Sequence, residues 1–340
     1  MHTQLLPALP EHIALGGKLL QSGQLVGFPT ETVYGLGANA LDAEAVRQIF
    51  IAKGRPQDNP LIVHVACPDD AESLCHVSST ARKLMDAFWP GPLTLVMPKK
   101  ATVPEVTSAG LSSVGVRCPA HPVALALIRA AGVPVAAPSA NTSGRPSPTC
   151  ARHVYEDMQN RIPLILDGGD CQVGVESTVL SVTGDTPVIL RPGKVTQLEI
   201  AQVTGKCLIA DSVMRPLREG ESAPSPGMKH RHYAPRGNMT IVQGTDEKKV
   251  VATLKRMYLS SENACILCHE NLLAAFPGMR VFSLGNSPED TARVLFSLLR
   301  DMDALKISRI LCQGWDTGGV GLAVMNRMAR AASFDIIEAE

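Results

Sequence analysis

At 340 residues the chain exceeds what one ordinary hydrophobic core supports, and a prior of roughly 150 residues per domain predicts two domains. Hydrophobic residues at 45% and charged residues at 19% describe a globular chain with ample apolar surface to bury. The 32 basic and 32 acidic residues cancel, which argues against a strongly basic nucleic-acid coat protein, although a basic patch on one face would vanish in the sum.

Apolar residues at helical spacing predict a helix over 11–21, and Leu25, Val26, Gly27 and Phe28 form a short buried-strand run closed by Pro29. The stretch from Pro29 through Thr30, Glu31, Thr32, Val33 and Tyr34 to Gly37 reads as a Thr/Gly turn. Asp42 then opens a helix with an acid in its first turn, and that helix runs through Val46, Ile49 and Phe50 to Lys53 at its C-terminus. Strands over 61–65, 93–97, 114–117, 133–137, 164–166, 178–182 and 188–190 alternate with helices over 79–88, 122–131 and 151–158. The pattern is an α/β domain of roughly 200 residues whose motifs fall at strand ends, where such sheets hold ligands.

Between 217 and 238 prolines and glycines interrupt the pattern, which predicts a linker. Lys229, His230, Arg231, His232 and Tyr233 crowd it with basic, imidazole and aromatic groups, so contact with an anionic ligand and a solvated tether are both open readings. Beyond it, strands over 239–242, 264–268, 281–284 and 309–312 and helices over 247–259, 289–304 and 321–332 predict a small Rossmann-like parallel sheet with helical crossovers. The loop from Trp315 to Gly321 runs from a strand into a helix like a phosphate-binding turn, but it lacks the Gly-x-Gly-x-x-Gly spacing and the Lys-Ser/Thr of a P-loop.

Nine scattered cysteines, odd in number and without the spacing of a disulfide scaffold, read as buried thiols in a reducing compartment. Residues 1–11 show no cationic segment leading into an apolar core, and no run reaches the about 18 apolar residues of a membrane span, so a cytoplasmic protein without membrane contact is expected. No Gly-x-Ser-x-Gly elbow and no His-Glu-x-x-His occur. Cys265 and Cys268 form one Cys-x-x-Cys, but three residues apart on a strand they point to opposite faces, against a zinc or redox role. His230 and His232 are the remaining candidate chelators.

Two signatures carry the chemistry. Lys53, Gly54 and Arg55 are followed by Asn59, and Ser139, Ala140 and Asn141 by Thr142, Ser143, Gly144, Arg145, Pro146 and Ser147. Fixed cations, hydroxyls and amides in Gly/Pro-rich turns suit a polyanion beside a small polar molecule. Each cation has a plainer reading as the partner of a surface carboxylate, His64 as a satisfied half-buried histidine, and Thr30 and Thr32 as a turn that bonds its own backbone. Arg117, the pair Ser177 and Thr178 after Glu176, and Arg191 before Pro192 and Gly193 complete the set.

Together these segments resemble the threonylcarbamoyl-AMP synthase family in its long form, with a YrdC-like catalytic domain and an additional C-terminal domain. The family's Lys-x-Arg and Ser-x-Asn signature stands intact as Lys53-Gly54-Arg55 and Ser139-Ala140-Asn141, and the match spans residues 15–194 in order. The resemblance implies an α/β fold, a YrdC-like twisted mixed sheet over 1–210, a linker over 211–238 that covers the site, and the small α/β domain over 239–340. It implies a nucleotidyltransferase that joins L-threonine, bicarbonate and ATP with magnesium into threonylcarbamoyl-AMP and pyrophosphate, for threonylcarbamoyladenosine modification of tRNA. Thr32, His64, Arg117, Ser139 and Ser177 are then expected to bind threonine. Lys53, Arg55, Asn59, Ser113, Asn141, Ser147, Thr149, Arg191 and Tyr233 are expected to hold ATP. Downstream tRNA-modification proteins, and weakly tRNA itself, are the implied partners. A rival reading is an RNA-binding translation or ribosome-maturation factor that recognises double-stranded RNA or tRNA by shape. A second rival, a carbamoyl-adenylate enzyme of the hydrogenase-maturation kind, would need an acylphosphatase-like segment and zinc-finger cysteines that this sequence lacks.

Overall fold

The computed structural model describes residues 2–57, 59–215 and 233–339. Most of the linker expected over 211–238, with His230 and His232, therefore lies outside the described residues.

The first domain opens with β1 (Gln4–Pro7), α1 (Pro10–Gln21), β2 (Val26–Phe28), β3 (Gly35–Asn39), α2 (Ala43–Lys53) and β4 (Ile62–His64). It continues with α3 (Ser79–Phe88), β5 (Leu93–Pro98), the single turn α4 (Glu105–Ser108), β6 (Ser113–Arg117), α5 (Pro122–Ala131), β7 (Val135–Ala136), α6 (Ala151–Met158) and β8 (Leu164–Asp167). It closes with β9 (Thr178–Ser181), β10 (Val188–Arg191), α7 (Gln197–Thr204) and β11 (Leu208–Ile209). These strands form one mixed sheet in the order β1-β8-β2-β3-β7-β4-β6-β5-β9-β10-β11. The second domain comprises β12 (Asn238–Gln243), α8 (Glu247–Leu259), β13 (Ala264–Cys268), β14 (Val281–Ser283), α9 (Pro288–Ala304), β15 (Arg309–Gln313), α10 (Gly321–Ala331) and β16 (Ile336–Glu338). Its five strands, ordered β14-β13-β15-β12-β16, are all parallel, as helical crossovers require. Among the described residues no helix is long and apolar enough to cross a membrane.

Local chemistry explains the helix that carries the first signature. The Asp42 side chain caps α2 by accepting from the amides of Glu44 and Ala45, and Gly54 ends it in the left-handed region at φ 61°. That glycine reverses the chain so that Lys53 and Arg55 leave one helix end in different directions.

The segment read as a Thr/Gly turn is different in one respect: its last three residues, from Gly35 to Gly37, open β3. Gly35 and Gly37 serve packing there, because a Cβ on Gly37 would stand 2.9 Å from both Phe28 Cε1 and Val135 Cγ1. Without side chains, β3 passes flat against the fully buried Phe28 ring and pairs antiparallel with both β2 and β7. The short edge strands β1, β11 and β16 and the helix α7 were not foreseen either; each is brief or borders the sheet, where periodicity carries little signal.

The two domains share apolar surface. Val33 and Val175 of the first pack with Tyr233, Leu295 and Phe296 in one cluster, and Arg300 of α9 donates to Asp157 of α6 at 2.8 Å. Cys265 belongs to this cluster and Cys268 to the one on the opposite sheet face, as strand alternation demands.

Candidate active site

The cleft forms where four strand ends and two loops converge. Parallel pairing of β4 with β6 sets His64 opposite Arg117 at their C-terminal ends. The antiparallel turn between β2 and β3 presents Thr30 and Thr32; an isolated bridge between Gly35 and Ser139 hangs the second signature beside it. Ser177 precedes β9 and Arg191 ends β10. The resulting cleft encloses about 680 Å³ of non-atom space, its open mouth included, and polar side chains converge on it.

Thr32, His64, Arg117, Ser139, Ser177, Arg55, Asn141, Ser147, Arg191 and Tyr233 all line this one cleft. Lys53, Asn59, Ser113 and Thr149 stand outside the lining. Lys53 is buried behind the wall, its Nζ donating to the carbonyls of Ser139 at 2.5 Å and Asn141 at 2.6 Å, so it braces the second signature. Burial and the charge of Arg55 push its pKa well below the usual lysine value. Asn59 is fully buried, its carbonyl accepting from Arg55 Nη2 at 3.2 Å while both side-chain polar atoms lack a partner. Ser113 faces a smaller side cavity that shares Pro60, Leu61 and Ile62 with the main one. Thr149 is buried against His153, whose Nδ1 accepts from the Thr149 amide at 3.3 Å.

The floor is electrostatically organised. Arg117 donates to Thr32 Oγ1 at 2.9 Å and to the Gly91 carbonyl at 3.1 Å, and its Nη2 lies 2.7 Å from Glu31 Oε1. Burial opposes ionisation of Glu31, but the charge and hydrogen bond of Arg117, with backbone amides, outweigh it and hold the carboxyl below its usual value. Arg191 donates to the Ser177 carbonyl at 3.0 Å and to Ser177 Oγ at 3.2 Å, and Thr94 Oγ1 lies 2.8 Å from the same hydroxyl. Ser139 Oγ donates to Asn141 Oδ1 at 2.5 Å, while Asn141 Nδ2 reaches the carbonyls of Thr142 and Arg145, each at 2.9 Å, closing the loop on itself.

Glu31, Glu176 and Arg145 also line or border the cleft, though the sequence motifs that contain them gave them no role. Glu176 accepts from Ser147 Oγ at 2.6 Å and pairs with Arg327 at 2.7 Å. Burial disfavours its charge, yet Arg327 and Arg191 more than compensate and lower its pKa to about 2. The sequence reading gave Arg327 and Arg300 no role, because nothing local tells which distant acid an arginine on a helix meets.

His64 is neutral. Burial, reinforced by Arg117, depresses its pKa to about 3, and burial likewise lowers His153 to about 4, against an ordinary 6.5. A depressed folded-state pKa gives stability that is complete above pH 6.5 and lost as pH falls toward the folded value. Between pH 6.5 and 5, above the carboxylate range, wild-type stability is therefore expected to decline, by up to about 1.4 kcal/mol per pH unit for each such histidine, and the urea midpoint to fall with it. His64→Gln/His153→Gln is expected to flatten that decline, and equal slopes for the two proteins would refute the assignment.

Magnesium is expected with ATP, whose phosphates would supply much of its oxygen ligation. Among the described residues no group of three His, Cys, Asp or Glu side chains is placed to hold a metal, and the carboxylates Glu31 and Glu176 are each committed to an arginine.

Fold and cleft together define a two-domain α/β protein with an arginine-lined site, bordered by Tyr233 of the linker and suited to an anion beside a small zwitterion. A family model described as telomere recombination, covering Sua5, YciO and YrdC proteins, matches residues 18–193, and one described as the threonylcarbamoyl-AMP synthase C-terminal domain matches residues 195–333. Threonylcarbamoyl-AMP synthases of Pyrococcus abyssi and Bacillus subtilis are similar to this chain at 45% and 44% identity, over 96% of it and 95% and 94% of their own lengths. The crystal structure of P. abyssi Sua5 complexed with L-threonine matches with a TM-score of 0.92 and 43% identity, over 99% of this chain and all of that one. The chain belongs to the threonylcarbamoyl-AMP synthase family, in its two-domain form.

Proposed function

We infer that this protein is an L-threonylcarbamoyladenylate synthase, a nucleotidyltransferase that converts L-threonine, bicarbonate and ATP to threonylcarbamoyl-AMP and pyrophosphate. The observation that carries the reading is the buried Arg117, flanked by Thr32 and His64, beside a second wall of Arg55, Arg145 and Arg191. The first group suits an amino-acid carboxylate, the second a triphosphate. That a close relative of matching fold is known with L-threonine bound supports the same substrate here.

Threonine's amine adds to the carbon of bicarbonate with loss of water, giving a carbamate. A carbamate oxygen attacks the α-phosphorus of ATP, and the bond from that phosphorus to the bridging oxygen breaks as pyrophosphate leaves. The arginines neutralise charge on the phosphates, and the hydroxyls of Thr32, Ser139 and Ser177 orient threonine. His64, with its pKa near 3, is a weak base at neutral pH, so positioning and charge neutralisation carry the rate. Tyr233, 5% exposed and lining the cleft, shields the product from water.

The product passes to tRNA-modification proteins in a reducing, cytoplasmic setting, in keeping with cysteines that are all free and, apart from Cys67 and Cys150, buried. Pyrophosphate release from ATP tests the reading. It is expected only when threonine and bicarbonate are both present; release independent of threonine, or tight tRNA binding with no turnover, would overturn it.

A further inference from the structure

The second domain touches the cleft wall from behind, through a side chain bonded to the lining residue Glu176. Arg327, in the middle of α10, is fully buried, and its Nε donates to Glu176 Oε2 at 2.7 Å. Its Nη1 donates to Asn326 Oδ1 at 2.7 Å, and the guanidinium carbon stands 5.8 Å from the centre of the Tyr233 ring. Tyr233 in turn stacks on Phe296 of α9 at 5.1 Å. The guanidinium is thus fixed in direction: one N–H meets the Glu176 carboxylate, a second meets Asn326, and a third points to the Glu176 backbone carbonyl at 3.5 Å.

Glu176 lines the cleft, and its second oxygen accepts the Ser147 hydroxyl proton at 2.6 Å. Unneutralised, a buried carboxylate here would repel an incoming triphosphate, since like charges in a water-poor site interact strongly. With its proton given to Glu176, the Ser147 oxygen faces the cleft as an acceptor, which suits a ribose hydroxyl or the adenine amine better than a phosphate.

We propose that Arg327 is a positioning residue for the nucleotide half of the site: it neutralises Glu176 and fixes its carboxylate, which sets Ser147 to accept from the nucleoside of ATP. The C-terminal domain thereby completes the active site. Among the described residues, charged or titratable groups that act on Glu176 besides Arg327 include Arg191, on β10, Tyr233 and, behind the wall, Lys53. Arg191 is itself bonded to Ser177, so it does not replace Arg327 as a direct partner of the Glu176 carboxylate. The proposal rests on the reading of ATP as substrate.

The test compares wild type, Arg327→Lys, Arg327→Met and Arg327→Met/Glu176→Gln by calorimetric ATP binding and by KM for ATP and for threonine. Arg327→Met is expected to weaken ATP by about tenfold or more while the threonine KM stays within about threefold, because an orphaned buried charge acts on the nucleotide side. The double variant removes that charge and keeps an acceptor for Ser147, so ATP affinity should return to within about threefold of wild type; Arg327→Lys, which keeps charge without the fork, should fall between. Equal rises in both KM values together with a lowered Tm, an unchanged ATP affinity, or a double variant no better than the single would each overturn the proposal. If Arg327→Met fails to fold, Arg327→Lys and the double variant make the same comparison. Wild type that binds ATP without threonine-dependent turnover would fail the functional reading, and the calorimetric series would still decide the role of Arg327; wild type that binds no ATP overturns both.

Discussion

Arg117→Ala is expected to weaken L-threonine binding by about a thousandfold, with much less change toward ATP. Truncating one partner of a buried, hydrogen-bonded charge pair costs about 2–5 kcal/mol, and about 4 kcal/mol corresponds to that factor. Three contacts go at once, to Thr32, Gly91 and Glu31, and the substrate carboxylate loses its cation. Glu31, 7% exposed, would also become an unpaired anion facing that carboxylate.

Stability should change with a reversed pH sense. In the wild type the lowered pKa of Glu31 gives stability that is present above the ordinary value of 4.5 and lost as pH falls through the folded-state value. Without Arg117, burial is opposed only by backbone hydrogen bonds and the pKa moves up, so the variant's deficit should be small well below pH 4.5 and grow as pH rises. Arg117→Ala/Glu31→Gln separates the two effects: the stability deficit at pH 8 should shrink while threonine binding stays lost. The measurements are threonine KM at saturating ATP and urea midpoints at pH 5 and pH 8; an Arg117→Ala enzyme with near-wild-type threonine KM would dismiss the carboxylate-binding role.

Asp157→Ala should cause the largest loss of stability, about 3–5 kcal/mol, because it orphans charges in a buried network. Asp157 is 4% exposed and pairs with Arg300 of the second domain at 2.8 Å, with Arg145 of the cleft loop, and with the Thr142 amide at 3.1 Å. Arg300 also donates to the Pro146 carbonyl at 2.7 Å, so the loop that follows Asn141 is held from both sides. Removing the carboxylate leaves two guanidiniums close together with nothing between them. Urea unfolding is the direct measurement. A loss below about 1 kcal/mol would show that the network contributes no more than an exposed ion pair does. Activity should fall as well, since Asn141 bonds to the carbonyls of Thr142 and Arg145 on the displaced loop.

Much of the site was legible because its residues sit at element ends, where turn chemistry is local. Lys53 and Arg55 follow from a capped helix that stops at Gly54, and His64 and Arg117 from two apolar strands that end in polar residues. The same reasoning did not foresee that Lys53 stands behind the cleft wall, since the carbonyls that surround it come from a loop 86 to 88 residues away. It likewise took β3 for a turn, because two glycines signal a turn unless an aromatic ring lies against them.

The amino-acid sequence by itself determined the two α/β domains, most helix and strand positions and the two signatures, since periodicity, capping and turn residues act over a few positions along the chain. Only the tertiary structure decided which charges meet. Glu176 and Arg327 are 151 residues apart and Asp157 and Arg300 are 143 apart, and their pairing arises from the docking of one domain on the other. A buried charge is tolerated only with its partner in place, and no local pattern records which distant residue that partner is.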